Sequence, residues 1–407
     1  MITPYVTIDG RPEFERNKTG FGYMVIDIAK AIGKIENVEV LVTDTRGERF
    51  EYEGVKFLKR SILLYLFSLF HTLPLGSLFR LMKNYSMTNG TAIRLAYYWV
   101  MTGHLHKMLK EEKYDVVHIH GCSFATELWI KVCKQNNQKY VITLHGLNSF
   151  SDTVKLESAG KQYERDFLKR VADGDYSITV ISSGMKRIIE NTYNKEKCPN
   201  IHVICNSFSF NKFEAQKVDL RKTYNLPDES KIIVCVGNIG RRKNQRQLIT
   251  AFNLLPQELA TQTYILFLGG NQSEDYTIEI LSEDSPWASH FIACGLVPKE
   301  QVGGYYAQCD AVALMSLSEG FGLSLIEGMH FGKPSMSFTD IDAFEDIYTP
   351  IAMVGVEEQS DRAVAEGMER LLNTKWDERK IKEYSKKFES QSMTNKYVDM
   401  YKRVVTK

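Results

Sequence analysis

Two carboxylates eight residues apart, Glu319 and Glu327, enclose Gly320-Phe321-Gly322 within the segment Ser316–Pro334. The apolar run Ala311–Met315 just upstream predicts a buried strand, and Leu323–Phe331 carries its apolar residues at helical spacing. The glycines then fall on a strand-to-helix turn, where backbone amides are free and the helix dipole favours an anion. Such a turn can hold a phosphate or a polyhydroxylated ring without a metal. Glu319 lies on the loop at the strand's carboxyl end and Glu327 about one turn into the helix, so both can face one ligand. The plainer reading is that Glu327 complements the helix N-terminus while Gly320 and Gly322 only make a tight turn.

A second chemical stretch runs Val234-Cys-Val-Gly237-Asn238-Ile-Gly-Arg241-Arg242-Lys243-Asn-Gln. A strand ends at Gly237, and a cationic loop follows before the helix Arg246–Leu255. Cations there can neutralise a departing diphosphate. In the first half, Ile142-Thr-Leu-His145-Gly146 puts a histidine at the carboxyl end of a strand, the edge where ligands gather in open α/β sheets. His118 and His120, two apart on another strand, point the same way and shape a cleft floor. With His145 they make a poor zinc set, since no carboxylate or thiolate completes it. Asp173-Gly-Asp175 has the look of a metal-binding pair but precedes a strand and reads as a turn. Gly20 and Gly22, in Asn17-Lys-Thr-Gly-Phe-Gly-Tyr, either let the backbone approach a ligand or only turn the chain.

These residues need rigid elements beneath them. Short β-branched runs at Glu39–Thr43, Val116–His120, Tyr140–Leu144, Ser177–Ile181 and Ile201–Cys205 alternate with helical patterns such as Gly22–Ile35 and Thr126–Asn136. A second series follows at Ile232–Val236, Tyr264–Leu268, His290–Ala293, Ala311–Met315 and Pro334–Phe338. Alternation of this kind predicts parallel, doubly wound sheets. The polar stretch Ser209–Lys231 reads as the connection, so the expected architecture is α/β, with two Rossmann-like domains, 1–208 and 209–387, facing across a cleft.

Composition sets outer bounds. The 407 residues suffice for two cores, and 43% hydrophobic with 25% charged residues is ordinary for a globular protein. A net charge of +1 argues against nucleic acid as the partner of the whole surface. Seven scattered cysteines without a C-x-x-C motif suit reduced thiols in the cytoplasm. The N-terminus lacks the charged and long apolar regions of a signal peptide, and no apolar run reaches membrane-spanning length. Between Gly54 and Lys110 there is no Asp or Glu, only Lys56, Lys59, Arg60, Arg80, Lys83, Arg94, Lys107 and Lys110 among apolar residues. The apolar part, Ser61–Phe70, reads equally as an interfacial helix on anionic lipid or a core helix with basic caps, and the missing acidic residues favour the membrane surface.

The Ser316–Pro334 string closely resembles the glutamate–seven residues–glutamate signature of family 4 retaining glycosyltransferases, "glycosyl transferases group 1", which have the GT-B fold. The resemblance covers almost the whole chain, strongest over about 232–340 and weakest over 45–110. It implies that Glu319 contacts donor-sugar hydroxyls, that the amides of Gly320, Phe321, Gly322, Leu323 and Ser324 hold sugar and diphosphate, and that Glu327 binds the nucleotide ribose. Lys243 fits the family's diphosphate-binding lysine. The family's arginine position is Asn238 here, a departure that leaves Arg241 or Arg242 to supply the charge. His145 corresponds to a strand-end histidine that approaches the donor sugar, Gly20 and Gly22 to a first glycine-rich loop, and Gly237, Gly270 and Val297 to turns near diphosphate, base and ribose. Asn206-Ser207 replaces a common Asn-Gly, where Asn tolerates a left-handed turn. The last helix, 388–407, is expected to cross back to the first domain.

The implied activity is metal-independent, retaining transfer of a hexose from a nucleoside diphosphate sugar, a UDP-sugar favoured, to a glycan or lipid-linked glycan of the cell surface. Residues His145, Glu319 and Lys243 would carry the catalysis, no cofactor would be needed, and the enzyme would be cytoplasmic, with peripheral contact to anionic membrane. The alternatives are a GT-B sugar-nucleotide epimerase, a phosphorylase, for which a pyridoxal phosphate lysine context is missing, or a non-catalytic nucleotide-sugar-binding scaffold.

Overall fold

A computed structural model of the chain describes residues 1–3, 20–43, 50–58, 68–151, 156–210 and 218–406. They form two compact units, one of residues 1–181, 185–204 and 390–407, the other of 182–184 and 205–389. In the first unit the strands are β1 (Ile2–Thr3), β2 (Glu39–Val42), β3 (Phe50–Tyr52), β4 (Val55–Leu58), β5 (Val117–His120), β6 (Tyr140–Leu144), β7 (Ile178–Val180) and β8 (Ile201–Val203). They lie in the order β3-β4-β2-β1-β5-β6-β7-β8. All pairs are parallel except β3 with β4, an antiparallel hairpin at the edge.

The second unit holds β9 (Lys231–Val236), β10 (Thr263–Leu268), β11 (Phe291–Gly295), β12 (Ala311–Leu314), β13 (Ser335–Phe338) and β14 (Met353–Val356), in the order β11-β10-β9-β12-β13-β14 and parallel throughout. Both sheets therefore grow outward in two directions from their first strand, which makes each a Rossmann-like doubly wound sheet. The direction reverses between β1 and β5 in one unit and between β9 and β12 in the other. Loops leaving the carboxyl ends of strands diverge at these points, which is where such sheets bind ligands.

The strand sequences explain the layers. Ile232, Ile233, Val234 and Cys235 are all buried, and so is every residue of β12. Strands covered on both faces by helices read as unbroken apolar runs rather than alternating ones. Helix Leu323–His330 lies so close on β12 that a Cβ at Gly328 would come 2.5 Å from Val312 Cγ2. The last helix, Ser390–Thr406, belongs to the first unit, packing on helix Gly20–Gly33 and on β6.

Within 54–110 the helix expected at Ser61–Phe70 falls mostly outside the described residues. Lys56 sits on β4 and pairs with Glu39 at 3.9 Å. Lys59, Arg60 and Ser61–Phe67 lie outside the described residues, as does Asn17-Lys-Thr. Beyond them come helices Leu75–Asn84 and Asn89–Glu111. The first buries only Leu78 and Leu81 and leaves Leu75, Phe79 and Met82 exposed. No described helix is long and apolar enough to cross a membrane.

Candidate active site

The second unit brings the strongest sequence candidates together at the β9/β12 reversal. Lys243, on the loop after β9, donates to Glu319, on the loop after β12, with Nζ to Oε2 at 2.5 Å. Arg242 adds Nη1 at 3.7 Å from the same Glu319 oxygen and donates to the Ser318 carbonyl at 2.7 Å. Leu317 N bonds the Arg242 carbonyl at 2.9 Å, so the two loops are stitched along their backbones. Burial disfavours the Glu319 carboxylate, but Lys243, Arg242 and the Phe321 amide outweigh it and hold its pKa below the usual range. Lys243 and Glu319 side chains are each 15% exposed, half-hidden yet reachable.

Glycines make this proximity possible. Gly237 has φ +143°, and a Cβ there would press on Lys243 Cε at 3.1 Å. Gly269, with φ +155°, approaches Gly237 so closely that a Cβ would stand 2.2 Å from the Gly237 carbonyl oxygen. Backbone bonds Gly237 N to Leu268 O, Ile239 N to Gly270 O and Gly269 N to Gly295 O continue the pairing past the strand ends. Gly237, Gly270 and Val297, which follows Gly295 by two residues, thus lie on three adjoining turns at one edge of the sheet.

Gly322 caps helix Leu323–His330 with φ +83° and no side-chain cap, so Gly320–Ser324 forms the strand-to-helix turn expected. Glu327 is the helix's fifth residue, and the first turn holds no acidic residue. The dipole fades beyond that turn, so complementing it does not account for Glu327. Instead the buried Tyr306 hydroxyl donates to Glu327 Oε2 at 2.9 Å. Burial and Glu327 together push the Tyr306 hydroxyl far above its ordinary pKa, keeping it a donor. Tyr306 was not singled out by sequence. Its signal is only a tyrosine pair on the helix before β12, and nothing in spacing ties it to Glu327.

Asn238 is exposed, and its carbonyl accepts from Gln245 Nε2 at 3.1 Å. Of the two arginines considered as replacements, Arg241 is turned outward into an exposed ion pair with Asp275 at 3.0 Å. Arg242 alone joins Glu319. Asn206 does not take up a left-handed backbone; the asparagine of this kind nearest the site is Asn244, φ +56°, which caps helix Gln245–Phe252.

In the first unit, His120 ends β5 and His145 follows β6. His145 Nε2 lies 2.9 Å from His120 Nδ1, and the Phe21 ring meets His145 edge-on at 4.9 Å between centroids. Burial lowers the His145 pKa to about 3. Gly20 and Gly22 stand in the first turn of helix Gly20–Gly33 rather than on a loop, and no described atom lies within 4 Å of a Cβ built at Gly20. Asp173 and Asp175 flank Gly174, φ +94°, in a turn closing helix Ser158–Ala172, and Asp173 pairs with Lys195 at 2.9 Å.

Comparison with known proteins decides the family. The model for "Glycosyltransferase Family 4" matches residues 19–210, and the model for "Glycosyl transferases group 1" matches 216–388. The chain belongs to the family 4 glycosyltransferases. A Klebsiella pneumoniae "uncharacterized 41.2 kDa protein in cps region" is 24% identical over 73% of this glycosyltransferase and 81% of that protein. The O-antigen chain mannosyltransferase B of Escherichia coli is 22% identical over 65% and 70%. Among solved structures, sucrose-phosphate synthase from Thermosynechococcus elongatus superposes with a TM-score of 0.71 at 18% identity, covering 95% of this chain and 94% of that one. HepE from Anabaena, in complex with UDP and glucose, gives 0.68 at 16%, covering 99% and 100%. The fold is GT-B.

Proposed function

We propose that this glycosyltransferase moves a hexose from a nucleoside diphosphate sugar, a UDP-sugar first, to a hydroxyl of a glycan or lipid-linked glycan in cell-surface polysaccharide synthesis, with retention and without a metal. The observation that carries the reading is the Lys243–Glu319–Arg242 cluster beside a helix start, Gly322–Leu323, that no side chain caps, at the β9/β12 reversal. Glu319, kept ionised, accepts from sugar hydroxyls. Lys243, Arg242 and the helix amides receive the diphosphate, and Glu327, steadied by Tyr306, accepts from the ribose.

In the reaction the bond from the anomeric carbon to the diphosphate oxygen breaks and its electrons move onto the phosphate. The acceptor hydroxyl bonds to the same face of that carbon, and its proton passes to the leaving phosphate oxygen. No protein nucleophile is needed; fixed cations stabilise the charge as it develops. Support for a polysaccharide role comes from the O-antigen mannosyltransferase among its relatives, and for a uridine nucleotide from the HepE complex. Peripheral contact with the inner face of an anionic membrane belongs to this reading; it is supported by the exposed Leu75, Phe79, Met82 and Ile93, set among Arg80, Lys83 and Arg94 with no acidic residue from Gly54 to Lys110.

Supplying purified protein with a nucleotide sugar, with and without acceptor glycan, tests the reading. Donor consumed only with acceptor supports transfer; conversion of donor alone indicates an epimerase, and no turnover with tight nucleotide binding indicates a scaffold.

A further inference from the structure

Three histidines form a continuous buried column in the first unit, and the family resemblance gives only His145 a place near the donor sugar. His118 is satisfied on both sides: Nδ1 lies 2.7 Å from the Tyr401 hydroxyl on the last helix, and Nε2 lies 2.7 Å from Thr143 Oγ1 on β6. Its ring centroid is 4.0 Å from that of His120, which it supports from beneath. His120 in turn meets His145 through Nδ1 and Nε2 at 2.9 Å. The two remaining nitrogens, His120 Nε2 and His145 Nδ1, are buried and have no hydrogen-bond partner among the described residues. Leaving a buried polar atom unpaired costs about 1–3 kcal/mol, so a pair serving only to fill the core would be expected to satisfy both.

Burial keeps all three rings neutral. A neutral imidazole carries one N–H, and the partner of one nitrogen decides which nitrogen carries it. Only one proton fits between His120 Nδ1 and His145 Nε2. If His120 donates it, His145 Nδ1 is an N–H and His120 Nε2 is an acceptor; if His145 donates, both characters invert. The outward nitrogens therefore always have opposite hydrogen-bonding character, and neither ring can change tautomer alone.

We propose that His120 is a positioning residue that locks the tautomer and ring orientation of His145, and is itself held by His118 on the Tyr401 and Thr143 hydroxyls. This inference rests on the assignment of His145 to the sugar-transfer site. A locked ring presents one fixed donor or acceptor to a sugar hydroxyl and avoids the population of misaligned states that a free imidazole would sample.

Nitrogen NMR of the protein labelled with 15N-histidine tests the pairing directly, because the two tautomers have distinct nitrogen shifts. His145→Gln identifies the His145 resonances. Wild type should show His145 as a single tautomer. His120→Leu should give a mixture, and His120→Asn, whose amide sits near the Nδ1 position, should restore one form. An unaltered His145 signature in folded His120→Leu overturns the proposal. Should His120→Leu misfold, folded His120→Asn and His120→Gln decide it instead: Asn preserving and Gln disturbing the signature supports the lock, and equal signatures in both overturn it. With an active donor and acceptor, His120→Leu should also lower kcat about tenfold or more with little change in donor KM, and His120→Asn should recover most of it. A shifted tautomer with unchanged kcat would leave the lock standing and remove His145 from the transfer site, so the two failures are told apart.

Discussion

Lys243 and Arg242 bring two positive charges to one carboxylate, so the cluster carries a net +1 (2 − 1) before any ligand arrives. A diphosphate entering there meets an uncompensated cation while Glu319 stays ionised for sugar hydroxyls. Because charge on the phosphate grows as the bond breaks, Lys243→Ala should lower kcat by about 10²-fold as well as weakening affinity. Steady-state kinetics that show only a raised KM would make the lysine a uniform binder and end its leaving-group role. The buried histidines give a second residue-scale prediction. His145 has a pKa of about 3 in the folded chain against an ordinary 6.5. Between those values the unfolded chain binds more protons, so stability is lost as pH falls from about 6.5 toward about 3. Thermal melts between pH 7 and 5 should show Tm dropping, and dropping less steeply in His145→Gln. Equal slopes would mean that His145 is not held neutral by burial.

The ten strands expected from β-branched runs all form; the central ones are buried on both faces and so write themselves as apolar runs that need no partner to be recognised, while the edge strands β8 and β11 are only partly buried. The strands not foreseen lack that signature. β1 has two residues, β14 contains Gly355, packed where a Cβ would meet Phe344 and Thr339 at 2.9 Å, and β3 and β4 are held by a turn at Glu53 and Gly54 with φ of +46° and +78°. Such a turn suits a two-residue hairpin, but Glu-Gly advertises it less than Asn-Gly does. In 54–110 the sequence shows basic and apolar residues without acidic ones, a pattern that does not mark the edge strand β4 at its start. Folding moves the interfacial candidate to helix Leu75–Asn84, where Phe79 is 61% exposed, and to Ile93, 72% exposed, on the next helix. Each nearby Lys or Arg contributes about 1 kcal/mol on an anionic surface, and inserted apolar side chains add to it. Co-sedimentation should therefore show binding to anionic vesicles that exceeds binding to neutral ones and weakens with salt. Replacing Leu75 and Phe79 with Ser should reduce it without altering nucleotide binding. Wild type left in the supernatant at low salt would make the face ordinary surface and a soluble acceptor the better reading.

At the scale of the molecule, both sheets grow outward in two directions from their first strand, and the candidate residues of each gather at its carboxyl edge beside a reversal of strand order. What could be read in advance were residues strung closely in sequence on one loop, Gly237–Lys243 or Glu319–Glu327. Tyr306 and the His120–His145 contact join residues 21 and 25 positions apart, and only the fold reveals them. In the proposed function a nucleoside diphosphate sits on fixed cations and helix amides in the second unit, with Glu327 on its ribose. Calorimetric titration of UDP, GDP and ADP in the presence of a chelator, into wild type, Lys243→Ala and Glu327→Ala, measures this without knowledge of the acceptor. Charge-assisted hydrogen bonds are worth about 1.5–3 kcal/mol each, so each variant should bind at least about tenfold more weakly than wild type. The prediction is that one of the three nucleotides, UDP first, binds metal-free wild type and is weakened by both substitutions. Binding that appears only when magnesium or manganese is added, or that both folded variants retain unchanged, would contradict it.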